Sequence, residues 1–190
     1  MLSPARLEAF SDAVLAIIIT ITVLELKVPE SGGLAALTAL WPLFIAYLIS
    51  FQTVGTYWNN HHHLIRATKH VSADIMWANL NLLFWLSLIP FAAGWLGKNP
   101  NAAWPTAVYS AVLLLSAGAY TILQLVVVQH AEKKAQLVKE MKASPKGIIS
   151  LVSYAIAVFC AFYSPTFSYL LILFVAILWF IPDKRIEKNL

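Results

Sequence analysis

Apolar residues run along this chain in long stretches, separated by short polar breaks. A helix that crosses the hydrocarbon of a bilayer needs about 20 predominantly apolar residues. Six stretches approach that length: about Arg6 to Leu26, Leu34 to His62, Asp74 to Leu96, Trp104 to Gln129, Ile148 to Tyr163 and Phe167 to Ile181. The breaks are Pro29-Glu30-Ser31-Gly32-Gly33, Gly97-Lys98-Asn99-Pro100, Ser144-Pro145-Lys146-Gly147 and Ser164-Pro165. Pro and Gly in such clusters end helices. The pattern predicts an all-α integral membrane protein: six transmembrane helices in one domain, residues 1–190. The last two segments are the shortest and form a tight hairpin.

Composition supports a lipid environment. Sixty per cent of the residues are hydrophobic and 12% are charged, where a soluble domain carries about 25% charged residues. Mean hydropathy is +0.74. A soluble fold of this length has too little interior to hide that much apolar surface. The single cysteine, Cys160, lies inside an apolar run, so neither an intrachain disulfide nor a thiolate metal cluster is expected. The first apolar stretch ends in Glu25-Leu26-Lys27-Val28-Pro29 without a small-residue cleavage site, so a cleavable signal peptide is not expected.

Basic residues set the expected orientation, because Lys and Arg accumulate in cytoplasmic loops. With six spans, one side holds Arg6, then Arg66 and Lys69, then the five lysines from Lys133 to Lys146, then Lys184, Arg185 and Lys188. The other side holds only Lys27 and Lys98. This asymmetry places both termini in the cytoplasm and favours an even number of spans. It also explains the basic residues as topology signals, so no nucleic-acid partner is expected. The charged loop from about His130 to Lys146 has the composition of a cytoplasmic helix extension or a headgroup-bound segment. Trp41, Trp95 and Trp104 fall near the outer interface and Trp179 near the inner one, as an aromatic belt requires.

Polar residues at membrane depth carry functional weight, because hydrocarbon penalises them. The first segment begins Arg6-Leu7-Glu8-Ala9-Phe10-Ser11-Asp12. A helix start accommodates Glu8 and a snorkelling Arg6. Asp12 lies deeper and points roughly opposite Ile17 on a wheel of about 100° per residue. It is expected to face its own bundle and to be paired there. Candidate partners are Trp58-Asn59-Asn60-His61-His62-His63 at the inner end of the second segment. Trp77, Asn79 and Asn81 open the third segment at the same depth. The residues assigned to this hydrogen-bonded network are Arg6, Phe10, Ser11, Asp12, Asn60, His61, His62, Trp77 and Asn81. Adjacent helical histidines diverge by about 100° and cannot converge on one ion, and no ligand follows them at the i+4 spacing. No metal and no other cofactor are expected. The opposite face of the first helix carries Ala13, Ile17, Thr20, Ile21 and Leu24, within about 60° of Ile17. Lipid-facing or core packing accounts for such a face. So does an apolar ring that gates a water path by dewetting. Periodicity leaves both open.

Arg-x-x-x-Phe-Ser-Asp at Arg6 to Asp12, followed by an Ile/Thr/Leu-rich helix ending Leu-Glu-Leu-Lys-Val-Pro, resembles the signature of the transmembrane protein 175 family. Trp58 to His63 and Asn81-Leu82-Leu83-Phe84-Trp85-Leu86-Ser87-Leu88-Ile89-Pro90-Phe91 are similar to that family too. The specific motifs cover the first half of the chain; the second half resembles the family by topology only. Animal members are endolysosomal potassium channels with two six-helix repeats. Prokaryotic members have one repeat and assemble as tetramers. The resemblance implies a single-repeat, homotetrameric, weakly selective potassium channel in the cell membrane, with lipid and monovalent cations as its other partners. It implies a pore lined by four copies of the first helix, with the constriction at Ile17, further apolar rings at Ile21 and Leu24, and a threonine at Thr20. Ala13 departs from the glycine that many relatives carry there. Arg6 and Phe10 also fall near the pore face on an ideal wheel. The competing classes are a membrane enzyme and a proton-coupled transporter, both using Asp12 and His61 to His63. No nucleophile or paired-carboxylate constellation supports the enzyme, and no inverted repeat or pair of broken helices supports the transporter.

The orientation is checked by labelling. Cysteines introduced by Lys139→Cys and at the C-terminus are expected to be protected from an impermeant reagent applied outside, and Gly32→Cys to react. Reaction at Lys139→Cys from outside would overturn the six-span topology.

Overall fold

The computed structural model describes residues 3–131, 138 and 144–180. Its described elements are helical. Helix α1 spans Pro4–Leu24, α2 Leu34–Ala39, α3 Trp41–Ile65, α4 Ala73–Ser87, α5 Ile89–Lys98, α6 Ala103–His130, α7 Lys146–Cys160 and α8 Pro165–Phe180. Local chemistry explains the starts. Ser3 caps α1 by accepting the Arg6 N–H, with Pro4 in the first turn. Ser72 caps α4 in the same way through Ile75, with Asp74 at the positive end of the helix dipole.

Two expected segments prove to be interrupted. The second is divided at Leu40 into α2 and α3, and the third at Leu88 into α4 and α5. Each break precedes a proline by two residues, Pro42 and Pro90. Proline lacks the N–H that would continue the ladder, and its ring clashes with the carbonyl four residues back.

Among the described residues three elements are long and apolar enough to cross a membrane: Pro4–Leu24, Ala73–Lys98 taken through its break, and Ala103–His130. Helix α3 has 25 residues, ample length for a crossing at 1.5 Å per residue, but its end from Trp58 to His63 is polar. Helices α7 and α8 are apolar and shorter, at 15 and 16 residues. The charged loop expected from about His130 to Lys146 lies mostly outside the described residues, as do the basic residues after Phe180.

Helix α6 is the centre. It packs against α4, α5, α7 and α8 and touches α3, while α1 lies against α3, α4 and α5 on the opposite flank from α7 and α8. Tyr109, Leu113 and Leu123 of α6 are fully buried, with Ile75, Leu82 and Leu86 of α4. Tyr109 Oη donates to Ser50 Oγ at 2.9 Å, since the Ser50 hydroxyl is committed to the Ala46 carbonyl. Ser168 Oγ donates to the Ala157 carbonyl at 2.8 Å and Trp179 Nε1 to Ser150 Oγ at 3.0 Å, closing the α7–α8 hairpin. Trp104 at the start of α6 meets Phe162 in the α7–α8 turn edge-on at 5.1 Å. The outer surface carries Phe44, Phe51, Phe84, Ile122, Phe159 and Phe174, all exposed. A surface this apolar suits hydrocarbon, where helices satisfy their own backbone.

Small residues permit the closest helix approaches. A Cβ at Gly97 would lie 2.6 Å from the Leu43 Cα, in backbone contact between α5 and α3. Gly118 in α6 has nothing within 4 Å of that position. Gly97→Ala is expected to destabilise the protein by about 1–3 kcal/mol through overpacking. Gly118→Ala is expected to be neutral or to stabilise by up to about 1 kcal/mol. Thermal unfolding in detergent reads the difference; equal melting temperatures would remove the α3–α5 approach.

Candidate functional site

Helix α1 has two chemically distinct faces. Leu7, Ser11, Leu15, Ile18 and Thr22 are buried against α3, α4 and α5. Phe10 is 52% exposed, Ile17 55%, Ile21 46% and Leu24 74%. Arg6, Ala13 and Thr20 are exposed on the same side, and Ile19 is half-buried. The face picked out in the sequence is therefore one that the rest of this chain leaves uncovered. Thr20 Oγ1 donates to the Ile17 carbonyl at 2.9 Å, the back-bond that lets a hydroxyl sit on an apolar helix surface. A groove of about 380 Å³ flanks the stripe, lined by Val14, Ile17, Ile18, Ile21 and Glu25 of α1 with Ser87, Pro90 and Phe91.

The N-terminal end of α1 is held by a buried polar relay. Ser11 Oγ donates to the Leu7 carbonyl at 2.9 Å and accepts from Asn79 Nδ2 at 2.9 Å. Asn79 Oδ1 lies 2.7 Å from His61 Nε2. Because an amide oxygen only accepts, His61 carries its proton on Nε2. All three side chains are buried. Beside this relay, Glu8 is paired with His62 through Nδ1, and Arg66 Nε stands 3.9 Å from the same carboxylate. Helices α1, α3 and α4 are thus tied together by side chains at one end.

Of the residues expected in this network, the structure brings Ser11, His61 and His62 into side-chain contacts between helices and holds the others elsewhere. Asp12 Oδ1 is buried without a hydrogen-bond partner, contrary to the expected pairing. The reason is angular: Ser11 takes the position facing α4, and the next residue turns about 100° away. His61 Nδ1 is likewise buried without a partner. Trp77 is 66% exposed, and Asn81 is half-buried outside the relay. Asn60 is turned back on its own helix, with Nδ2 donating to the Thr56 carbonyl at 2.9 Å. Arg6 and Phe10 lie on the exposed face, away from the relay. The three histidines diverge: His61 faces Asn79, His62 faces Glu8, and His63 is exposed with its ring edge-on to His62 at 5.4 Å. Among the described residues no cluster of His, Cys, Asp or Glu is arranged to hold a metal ion.

The junction residue, Asn79, lies outside the assigned set, and so does the acceptor Glu8. Asn79 was recoverable from spacing. It falls four residues after Ile75 and three before Leu82, on the stripe that α4 buries. Asn81 does not share that stripe.

The profile of the endosomal/lysosomal potassium channel TMEM175 family matches residues 6–90. A potassium channel of Chryseobacterium sp. (strain P1-3) is 48% identical over 189 residues, covering 100% of this chain and 98% of its own length. The endosomal/lysosomal proton channel TMEM175 of Mus musculus is 38% identical over 103 residues, which are 48% of this chain and 21% of that protein. The crystal structure of a lysosomal potassium-selective channel TMEM175 homolog from Chamaesiphon minutus superposes with a TM-score of 0.79 at 29% identity, covering 93% of this chain and 95% of that one.

The relay is checked by deletion. Asn79→Leu removes both interhelical bonds and leaves the buried His61 Nε2–H without an acceptor, at a cost of about 1–3 kcal/mol, while Ser11 keeps its bond to the Leu7 carbonyl. It is expected to lower the melting temperature in detergent clearly, and Asn81→Leu to leave it nearly unchanged. The reverse order would mean that α4 is rotated from the orientation described.

Proposed function

Since the chain belongs to the TMEM175 family, we propose that it is a potassium-permeable, weakly potassium-selective cation channel in which four copies of α1 line the pore. The observation that carries this reading is the exposed face of α1. A helix tied by buried polar side chains to α3 and α4 nevertheless leaves Ile17, Thr20, Ile21 and Leu24 uncovered. A fourfold axis along that face turns each residue into a ring. The full-length similarity to a protein named a potassium channel favours potassium over protons, since the match to the mouse proton channel covers only 48% of this chain.

The proposed topology has six spans: α1, α2–α3, α4–α5, α6, α7 and α8. Contacts between element ends support it. The start of α1 meets the end of α3 through Glu8 and His62, and the end of α1 meets the end of α5 through Glu25 and Lys98. The first three spans therefore alternate in direction. Both termini lie in the cytoplasm of a cell-membrane protein on the Lys and Arg asymmetry. The network around Arg6, Phe10, Ser11, Asp12, Asn60, His61, His62, Trp77 and Asn81 serves assembly. Those members that the protomer leaves unpaired or exposed are available to a neighbouring subunit. Permeant monovalent cations are the ligands in this reading, and no cofactor takes part.

Four isoleucine side chains at one level leave no ligand to replace an ion's water, so the barrier at Ile17 is set mainly by dehydration. Shortening that side chain lowers the barrier for every cation. Ile17→Ala is expected to raise conductance and reduce the preference for potassium over sodium, and Ile17→Asn to do the same by wetting the ring. Thr20→Ala is expected to reduce selectivity with a smaller effect on conductance. Ile19→Ala, away from the exposed face, is expected to leave permeation nearly unchanged. Reversal potentials and single-channel currents in planar bilayers read these effects. If Ile19→Ala alters them and Ile17→Ala does not, the pore face is wrong.

A further inference from the structure

We propose that Glu25 concentrates cations at the outer mouth of the pore and that Lys98 masks it, so that this ion pair sets conductance. The inference rests on the reading that α1 lines the pore. Glu25 follows Leu24 directly and forms the C-cap of α1. A carboxylate there meets the negative end of the helix dipole, and the last turn of α1 contains no basic residue to offset it. The compensating charge comes from another helix. Lys98 Nζ, at the end of α5, donates to Glu25 Oε2 at 2.9 Å.

The carboxylate is held in place on two sides. It lies against Gly94, where a Cβ would approach Glu25 Oε2 to 2.6 Å, so α5 is notched to receive it. It also borders the groove that Ile17 and Ile21 line, continuous with the exposed face of α1. Its side chain remains 33% exposed and that of Lys98 50%. At this end of the described protein the only other charges are Lys27 and Glu30, both exposed in the connection after α1.

Two physical scales make the role electrostatic. Ion pairs this exposed contribute little to stability, so the strut alone is a weak reason for placing an acid at a helix C-terminus. Rings of carboxylates, by contrast, draw cations into channel mouths. Fourfold symmetry repeats Glu25 around the axis, and each copy is neutralised by its own Lys98. Loss of Lys98 uncovers the whole ring at once.

The test is unitary potassium conductance of the full-length channel in planar bilayers. It is measured near 0.01 M salt, where the Debye length is about 30 Å, and near 1 M, where it is about 3 Å. Lys98→Gln is expected to raise conductance about two- to tenfold at low salt, within the range charge focusing gives, and to match the parent at high salt. Glu25→Gln leaves Lys98 uncompensated and is expected to lower conductance at low salt only. The double variant is expected to return to the parent value. Unchanged conductance in both single variants, or a change of equal size at both salts, overturns the proposal. If Lys98→Gln fails to assemble, Glu25→Gln alone decides by the same criterion. Ile17→Ala is recorded in parallel. If it too leaves conductance unchanged, the pore assignment has failed; if it alters conductance while the charge variants do not, only the role of Glu25 has failed.

Discussion

An amide side chain donates at one atom and accepts at another, and Asn79 uses both across a gap between helices. Its Nδ2 donates to Ser11 of α1 and its Oδ1 accepts from His61 Nε2 on α3. In hydrocarbon there is no water to substitute for either partner, so the three groups are mutually required. The relay fixes the rotation of α1 about its own axis. With Ser11 turned inward, Phe10, Ile17, Ile21 and Leu24 are turned outward. The uncovered stripe is thus a consequence of where one asparagine sits on a different helix.

Prolines shape the bundle as strongly as hydrogen bonds do. Pro42 and Pro90 interrupt runs whose apolar content is otherwise continuous. The interruption at Leu88 delivers α5 to the end of the bundle where α1 finishes, and there Gly94 and Gly97 bring it against Glu25 and Leu43. An unbroken helix from Ala73 to Lys98 would carry its second half in the direction set by α4. The groove beside Ile17 and Ile21, walled by Pro90 and Phe91, lies just past that break.

Hydrophobic runs and Pro/Gly breaks made the helices legible in the sequence. The expected start of α6 at Trp104 and the observed one at Ala103 differ by one residue, because the preceding Asn-Pro-Asn leaves little choice. The helical period sorted Ile17, Ile21 and Leu24 onto one face of α1, but it did not say that this face is left uncovered. Partner identity was not. Three polar residues opened the third segment, and choosing among Trp77, Asn79 and Asn81 required knowing which stripe of α4 is buried. Asp12 was expected to be paired on the ground of cost, yet its Oδ1 finds no hydrogen-bond partner in this chain. Burial cost states that a charge needs company; it does not state that the same chain provides it.

The back-bond of Thr20 has a consequence of polarity. Its one hydroxyl hydrogen is committed to the Ile17 carbonyl, so the oxygen faces outward with lone pairs only. Thr22, four residues after Ile18 and bonded to its carbonyl, is in the same state but buried. Whatever meets Thr20 from beyond the helix meets an acceptor that has no proton to offer. Such a surface welcomes a positive charge or a donor and gives an anion nothing to hold. In the proposed pore, the preference for positive charge at this level is therefore written into a hydrogen bond that lies wholly within one turn of α1.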